Sequence, residues 1–453
     1  MERDPERDRL TGRMARFARV GVGLGGAAAT FGANALFAGG DAQARNAKAL
    51  KEALGRLKGP MMKVAQMFAT VPDLLPPEFA AELAELQTNA PAMTGAFVRR
   101  RMAAELGPAW ASRFAAFDVN PSAAASLGQV HRATALDGRP LAVKLQYPDM
   151  QSAVESDLSQ LRTVLALGRQ MFGAIDTSEI VVEISDRIRE ELDYGREAKA
   201  MRLYADFFAG RDDIAVPRPD LDLSTGRLIA MDWLDGRGLM SWKGADQETR
   251  NRIARTLFEA WWTPLIQLGV IHGDPHLGNY SFTEDFTHDG GGRLNLLDFG
   301  CIRIFPPRFV GGVVKLFRAM TTGDREGEAE AYRAWGFKGL TDDLMDVLHI
   351  WAKFIYGPLL DDRVRTVADG VAPGEYGRRE AFQVKQALDE KGPVTIPREF
   401  VFMDRAAIGL GAAFLHLAAE QNWRQLFEAS LEGFSEEALA ERQARALAAV
   451  GLG

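Results

Sequence analysis

One stretch of the chain reads His272-Gly273-Asp274-Pro275-His276-Leu277-Gly278-Asn279, and Asp298-Phe299-Gly300 begins nineteen residues after its asparagine. Before the stretch, apolar residues recur at helical spacing over residues 257–268. Between the two motifs, Leu294-Asn295-Leu296-Leu297 is typical of a short buried strand that ends at the second aspartate. The two polar motifs, each preceded by apolar residues, therefore determine how the rest of the chain is interpreted.

The acids and the amide of these motifs have the spacing of a phosphoryl-transfer site. Transfer from a nucleotide requires metal-bridged phosphates and an oriented acceptor more than covalent help from the protein. A loop Asp, an Asn five residues later and a second Asp at a strand end are the parts that kinases use. We predict that Asp274 orients the acceptor or a water, and that Asn279 and Asp298 hold Mg²⁺.

A zinc site is the alternative for the same stretch, since His272, Asp274 and His276 alternate along the sequence. In a strand, alternation would place the three side chains on one face, and all are zinc-ligand types. However, Pro275 and two glycines favour a loop, and the next histidine is His288. The phosphoryl-transfer interpretation is therefore preferred.

The bulk composition is that of a globular protein with more than one core. A chain of 453 residues exceeds what one hydrophobic core usually serves, so two or three lobes are expected. The net charge of −7 and the lack of a basic stripe argue against a nucleic-acid partner. The single cysteine, Cys301, excludes an intramolecular disulfide.

The N-terminal segment, residues 1–44, is rich in small residues. Three arginines precede an apolar run at 20–38, and Ala42-Gln43-Ala44 resembles a cleavage site, which is the outline of a secretory signal. The run contains few large side chains, acids occur among the first nine residues, and a nucleotide-using site belongs inside the cell. We therefore predict a cytoplasmic protein whose N-terminal segment lies on the inner membrane, and a spanning or cleaved segment remains the alternative.

Residues 45–112 are predicted to be a helical extension. Within it, Lys63 and Gln66 are three apart and so share a helix face. From residue 113 the pattern indicates strands joined by the turn Asp137-Gly138. A loop of small residues before the first long strand lets backbone amides approach phosphates, and its candidates are Ala123, Ala124, Ala125 and Ser126.

Several charged residues lie between this loop and the polar motifs. Lys144 stands in an apolar strand, where burial without a phosphate or carboxylate partner is costly. A helical region at about 150–210 carries the acids Glu191, Asp193 and Glu197. On a regular helix Asp193 and Glu197 share a face, whereas Glu191 and Asp193 point in different directions. The run 227–236 indicates a buried strand and a turn, a suitable place for backbone contacts to adenine. Asp232 and Trp233 are its candidate residues.

Together these segments resemble the UbiB/AarF family of atypical, kinase-like proteins from about residue 45 onward. The resemblance implies that Lys144 contacts the nucleotide and that Glu197 is its ion-pair partner. It also implies that Lys63 and Gln66 come from an extension folded over the active site. There they would meet Glu191 and Asp193, the paired acids of the family.

The implied fold is α+β, an atypical protein-kinase-like two-lobed fold with an N-terminal helical extension packed over the active site. The predicted parts are the segment 1–44, the extension 45–112, a kinase-like N-lobe at 113–235 and a mostly helical C-lobe at 236–453. The implied cofactors are ATP or ADP and Mg²⁺. Ala65, Gly273 and Leu277 depart from the family's usual residues, but none of these changes removes a charged or metal-binding group.

The residues after Gly300 bear on the substrate. Protein kinases place a long activation segment there, ending in Ala-Pro-Glu, which holds a peptide substrate. This chain instead has Cys301-Ile302-Arg303-Ile304-Phe305-Pro306-Pro307 and then a helical pattern, which argues against a protein substrate. The preferred function is a Mg²⁺–ATP-binding, kinase-like ATPase acting on or with membrane lipids of the isoprenoid quinone type. The alternatives are a small-molecule phosphotransferase, because the loop also resembles that of aminoglycoside and choline kinases, and a nucleotide-switched, non-catalytic lipid-binding scaffold. The sequence leaves the oligomeric state open.

Overall fold

The structure, a computed structural model, describes residues 93–453 with several gaps. The gaps are residues 126, 149, 152–153, 156–157, 159–184, 187, 288–290, 338, 369, 373–382, 384–385 and 387–397. The segment 1–44 and most of the predicted extension, with Lys63 and Gln66, lie outside the described residues. The chain forms two compact units. Among the described residues, the first contains those up to Gly195 and Asp220–Met231, and the second contains those of Arg196–Pro219 and Asp232–Gly453.

The first unit is built on a six-stranded sheet. Helix α1 (Gly95–Leu106) and a 3₁₀ turn (Trp110–Arg113) precede it. The strands are β1 (Ala116–Phe117), β2 (Ala123–Ala125), β3 (Gly128–Thr134), β4 (Pro140–Gln146), β6 (Pro219–Thr225) and β7 (Leu228–Asp232). Their order is β1-β3-β4-β7-β6, and β2 pairs with β3. The predicted hairpin turn joins β3 to β4, and Gly138 there has φ +90°, which only glycine adopts readily.

The core of the first unit lies between the sheet and α1. Val98 and Met102, one helical turn apart on α1, pack against Val143 and Leu145 of β4. Six of the seven residues of β4 are buried, as expected for a central strand covered on both faces. The sheet therefore holds Lys144 of this strand in a buried position.

Gly128, the first residue of β3, allows close contact with β4. A β-carbon at this position would lie 2.3 Å from the carbonyl oxygen of Leu145. We expect Gly128→Ala to lower the free energy of unfolding by about 1–3 kcal/mol, because the strands must separate locally. In denaturant titrations, Gly226→Ala is the control, since nothing lies within 4 Å of a β-carbon there. Equal stability of the two variants would contradict the expectation.

Among the described residues, the second unit contains two small sheets and most of the α-helices. Strands β5 (Ile214–Ala215), β11 (Leu294–Leu296), β10 (Tyr280–Phe282) and β8 (Arg237–Gly238) form a four-stranded sheet in that order. Strands β9 (Val270–His272) and β12 (Ile302–Ile304) form a second, two-stranded sheet. The helices are α2 (Tyr194–Phe207, which starts in the first unit), α3 (Gln247–Leu268), α4 (Pro307–Thr322), α5 (Arg325–Ala334), α6 (Asp342–Leu360), α7 (Arg398–Leu417), α8 (Trp423–Ser430) and α9 (Glu436–Val450).

Helix α3 leads the chain into the polar loop, as the apolar spacing at 257–268 predicts. Its N-cap is Asp246, whose carboxylate accepts a hydrogen bond from the Thr249 amide at 2.8 Å. It ends at Gly269, which has φ +62°. Strand β9 starts at the next residue, so the C-cap fixes where the buried strand before the loop begins. Among the described helices, none is long and apolar enough to cross a membrane.

Candidate phosphoryl-transfer site

The polar loop of the second unit lies between β9 and β10, and a short 3₁₀ turn (Leu277–Asn279) closes it. The side-chain amide of Asn279 donates to the backbone oxygen of Asp274 at 3.2 Å. The backbone oxygen of Asn279 accepts from the Leu297 amide at 3.0 Å. Only 8% of Asp274 is exposed. The loop is thus tied to the segment that follows β11.

Asp298 follows β11 as predicted and is held by two hydrogen bonds. Its Oδ1 accepts from the Gly300 amide at 3.0 Å, and its backbone oxygen accepts from His272 Nε2 at 2.5 Å. Because His272 ends β9, this second bond joins the start of the polar loop to the second motif. Asp274, Asn279 and Asp298 therefore extend from neighbouring strand ends of one unit. Their carboxylate and amide oxygens are the ligand types that Mg²⁺ prefers.

The histidines of the loop do not form the alternating strand of a zinc site. Strand β9 ends at His272, and exposed His276 accepts the Gly278 amide on Nδ1 at 3.1 Å. Within the described residues, no group of three His, Cys, Asp or Glu side chains could hold a metal ion. His272 instead positions the backbone of Asp298, a contact that the sequence analysis missed. The position of His272 directly before the polar loop was the sequence signal that could have indicated this contact.

An aromatic cluster next to the polar loop consists of Tyr204, His272, Tyr280 and Phe299. The ring centroids of His272 and Tyr280 are 5.9 Å apart, and those of His272 and Phe299 are 6.1 Å apart. Tyr204 of α2 packs edge-on against Phe299 at 5.5 Å. Burial, and secondarily the charge of Asp274, raises the pKa of Tyr280 well above its usual range. The phenol of Tyr280 therefore stays protonated beneath the loop.

Lys144 in the first unit lies on β4, opposite Val130 of β3, and is 7% exposed. Its Nζ is 5.3 Å from the ring centroid of Tyr194, which is a cation–π distance. The aromatic face partly compensates for the loss of water around the ammonium group. The sequence analysis missed Tyr194, although it lies within the charged run at 190–197.

The predicted small-residue loop is partly strand. Ala123, Ala124 and Ala125 form β2, and Ala125 pairs with Gly128 across a two-residue connection. Ala123 and Ala124 are exposed, and Ser126 lies outside the described residues. The site roles predicted for these four residues stay predictions.

The acidic run does not form the regular helix assumed in the sequence analysis. Residues 188–191 are helical, the chain leaves the helix at Leu192 and Asp193, and α2 starts at Tyr194. Gln146 Nε2 donates to the Leu192 oxygen at 3.1 Å, and the Tyr194 amide donates to the Gly226 oxygen at 3.2 Å. These contacts with the sheet replace helical hydrogen bonds, which explains the interruption.

The three acids of that run have different environments. Glu191 and Glu197 are buried, whereas Asp193 is exposed. Lys144 belongs to the first unit and Glu197 to the second, so their pairing stays a prediction. The paired-acid role of Glu191 and Asp193 stays a prediction as well.

The strand predicted at 227–236 is β7, and Asp232 is its last residue. The Asp232 carboxylate accepts from the Arg218 amide at 3.0 Å. The indole nitrogen of Trp233 donates to Asp235 at 2.7 Å. These bonds fix the chain just after the strand, and the predicted contact with adenine stays a prediction.

Comparisons with known proteins identify the family. A family model described as the ABC1 atypical kinase-like domain matches residues 85–332. Among curated relatives, the "Atypical kinase coq-8, mitochondrial" of Caenorhabditis elegans is 29% identical over 317 residues, which cover 70% of this chain and 42% of that protein. The "Atypical kinase COQ8, mitochondrial" of Saccharomyces cerevisiae is 28% identical over 297 residues, which cover 65% of this chain and 58% of that protein. The chain spans about half the length of the curated relatives it matches.

A solved structure agrees with this assignment. The complex of Rv3197 with erythromycin from Mycobacterium tuberculosis is 25% identical, has a TM-score of 0.57 and covers 85% of this chain and 95% of its own. The family and the kinase-like fold predicted from the sequence are therefore confirmed. The chain belongs to the ABC1 family of atypical kinase-like proteins, which is the UbiB/AarF family of the sequence analysis.

Proposed function

We propose that the protein is a Mg²⁺–ATP-dependent, kinase-like ATPase that acts on or with membrane lipids of the isoprenoid quinone type. The observation that carries the proposal is the arrangement of Asp274, Asn279 and Asp298 on neighbouring strand ends of the second unit. Two of these side chains would hold Mg²⁺, which bridges nucleotide phosphates and neutralises the charge that develops on them. Asp274 would orient the acceptor or a water.

The first unit supports the nucleotide part of this proposal. Lys144 presents a positive charge on a buried strand, where a phosphate is a suitable partner. No activation segment of the protein-kinase type follows Gly300, since β12 and α4 come directly after it. A small acceptor or water is therefore preferred to a protein acceptor.

Formation of ADP from ATP tests the proposal, because hydrolysis and transfer to an acceptor both produce it. The additions are neutral vesicles, vesicles containing anionic lipid, a phenolic mimic of a quinone precursor, an aminoglycoside and choline. We expect Mg²⁺-dependent turnover that the lipid or phenol accelerates and that Asp274→Asn removes. Turnover that appears only with an aminoglycoside or choline would favour the small-molecule phosphotransferase. Nucleotide binding without any turnover would favour the scaffold.

The proposed membrane contact is peripheral and assigned to residues 1–44, which lie outside the described residues. Sedimentation with anionic vesicles, comparing the full chain with a variant that lacks residues 1–44, measures this contact. We expect the truncated variant to remain in the supernatant. Equal sedimentation of both proteins would contradict the assignment.

Lys63 and Gln66 are proposed to belong to an inhibitory extension. Their docking on Glu191 and Asp193 would exclude water and large substrates, and its release would speed basal turnover. We therefore expect Lys63→Ala to raise basal ATP hydrolysis or to alter nucleotide selectivity. Adding Asp193→Asn should have little further effect, because both changes break one contact. Loss of stability alone would indicate a structural helix instead.

A further inference from the structure

Three buried polar atoms belong to residues of the aromatic cluster in the second unit. They are Nδ1 of His272 and the hydroxyls of Tyr204 and Tyr280. Each is shielded from solvent, and none has a hydrogen-bond partner among the protein atoms of the described residues. All three residues are about 2% exposed. A buried polar atom without a partner is unfavourable, so three in one cluster require an explanation.

The cluster includes one residue of each polar motif, His272 and Phe299. The His272 ring packs against Tyr280 and Phe299, and Tyr204 packs edge-on against the same phenylalanine at 5.5 Å. Burial, and secondarily the neighbouring Tyr280, raises the pKa of Tyr204 well above its usual range. Phenols carry their proton at neutral pH, so both hydroxyls can donate a hydrogen bond.

The hydrogen-bonding capacities of the three groups are complementary to those of water. His272 Nε2 lies against a carbonyl oxygen, which can only accept, so this nitrogen carries the proton. In the neutral ring, Nδ1 is then an acceptor. Each phenol hydroxyl can donate one hydrogen bond and can also accept one. A water molecule, with two donors and two acceptors, can bind all three groups.

We propose that His272 Nδ1 and the hydroxyls of Tyr204 and Tyr280 form an internal water-binding site next to the polar loop. In this proposal the two tyrosines are positioning residues for Asp274. Tyr280 directly follows Asn279, so its orientation affects the loop backbone that joins Asn279 to Asp274. Tyr204 lies seven residues after Glu197 on α2, which places both on one helix face. The water would therefore link that face of α2 to the loop.

The positioning role rests on the proposed phosphoryl-transfer function, whereas the water site does not. Thermal unfolding of Tyr204→Phe, Tyr280→Phe and the double variant tests the water site without any assay of activity. In a dry cluster, phenylalanine would remove an unsatisfied polar atom, so the melting temperature would rise. In a hydrated cluster, each single change loses hydrogen bonds to water, and we expect a fall of about 1–3 °C.

The double variant separates a shared water from two independent contacts. If both hydroxyls bind one water, the second change should add less than half of its single effect. Tyr332→Phe is the matched control, because Tyr332 also has a buried hydroxyl without a partner among the described residues but packs against Trp335 and Phe337. Its effect should add fully to that of Tyr280→Phe. A rise in melting temperature, or additive losses for Tyr204 and Tyr280, would overturn the water site.

Steady-state ATP hydrolysis tests the positioning role. We expect Tyr280→Phe to lower kcat about tenfold and to leave KM for Mg²⁺–ATP within about twofold, since oriented proton transfer is affected and ground-state binding is not. Tyr332→Phe should leave both constants unchanged. An unchanged kcat in Tyr280→Phe would overturn the positioning role. Absence of turnover in the unmodified protein would contradict the proposed function and the positioning role together, while the melting data would still decide the water site.

Discussion

Asp298→Asn is expected to abolish Mg²⁺-dependent nucleotide binding while the fold remains intact. The change removes one negative charge from the proposed metal ligands but keeps the size of the side chain. The amide oxygen of asparagine can still accept the Gly300 amide, and the bond from His272 goes to the backbone. We therefore expect local structure to survive and affinity for Mg²⁺–ATP to fall by about 100-fold or more.

Calorimetric titration with ATP, in Mg²⁺ and in excess chelator, measures the effect. Asp285→Asn is the matched control, because it removes the same charge from an exposed 3₁₀ turn of the same unit. The control should bind Mg²⁺–ATP normally. In chelator, the Asp298 variant and the unmodified protein should bind ATP with similar, weak affinity. Unchanged affinity of the Asp298 variant in Mg²⁺ would contradict the kinase-like assignment of this site.

The parts of the site that the sequence predicted are those with strong local signals. The strand before Asp298, the hairpin turn at Asp137-Gly138 and the helix that ends at Gly269 each follow from neighbouring residues. The helical pattern predicted after the Pro306-Pro307 pair also corresponds to a helix, α4. These elements show that propensity and patterning act over short distances, so they can be interpreted without knowledge of tertiary structure.

The features that were missed depend on contacts between distant segments. The interruption of the acidic helix depends on Gln146 and Gly226, which are remote in sequence from Leu192. The bond from His272 to Asp298 joins residues 26 apart. Periodicity carries no information about either contact, because it reports which face is apolar and not what lies against it. The predicted domain boundaries and the roles of Lys63 and Gln66 stay predictions.

Lys144→Met is expected to lower nucleotide affinity about 30- to 100-fold, because it removes the only charge of its buried strand. The methionine keeps most of the apolar stem, so packing within β4 should change little. The cation–π contact with Tyr194 is also lost, so we expect a small decrease in the stability of the fold. Lys199→Met is the control, because Lys199 is an exposed α2 residue that donates to the Gly451 oxygen.

The ion pair proposed between Lys144 and Glu197 can be tested by a double-mutant cycle. Glu197 lies in the first turn of α2, three residues after Tyr194, so the two share a helix face. If the carboxylate orients the ammonium group toward the phosphates, Glu197→Gln should weaken nucleotide binding about tenfold, and adding it to Lys144→Met should cost little more. The same carboxylate change combined with Lys199→Met should be additive. Additive losses for Lys144 and Glu197 would show that the two groups do not act on each other. The lysine would then bind phosphate without this carboxylate, and the role of Glu197 would be confined to packing within its own helix.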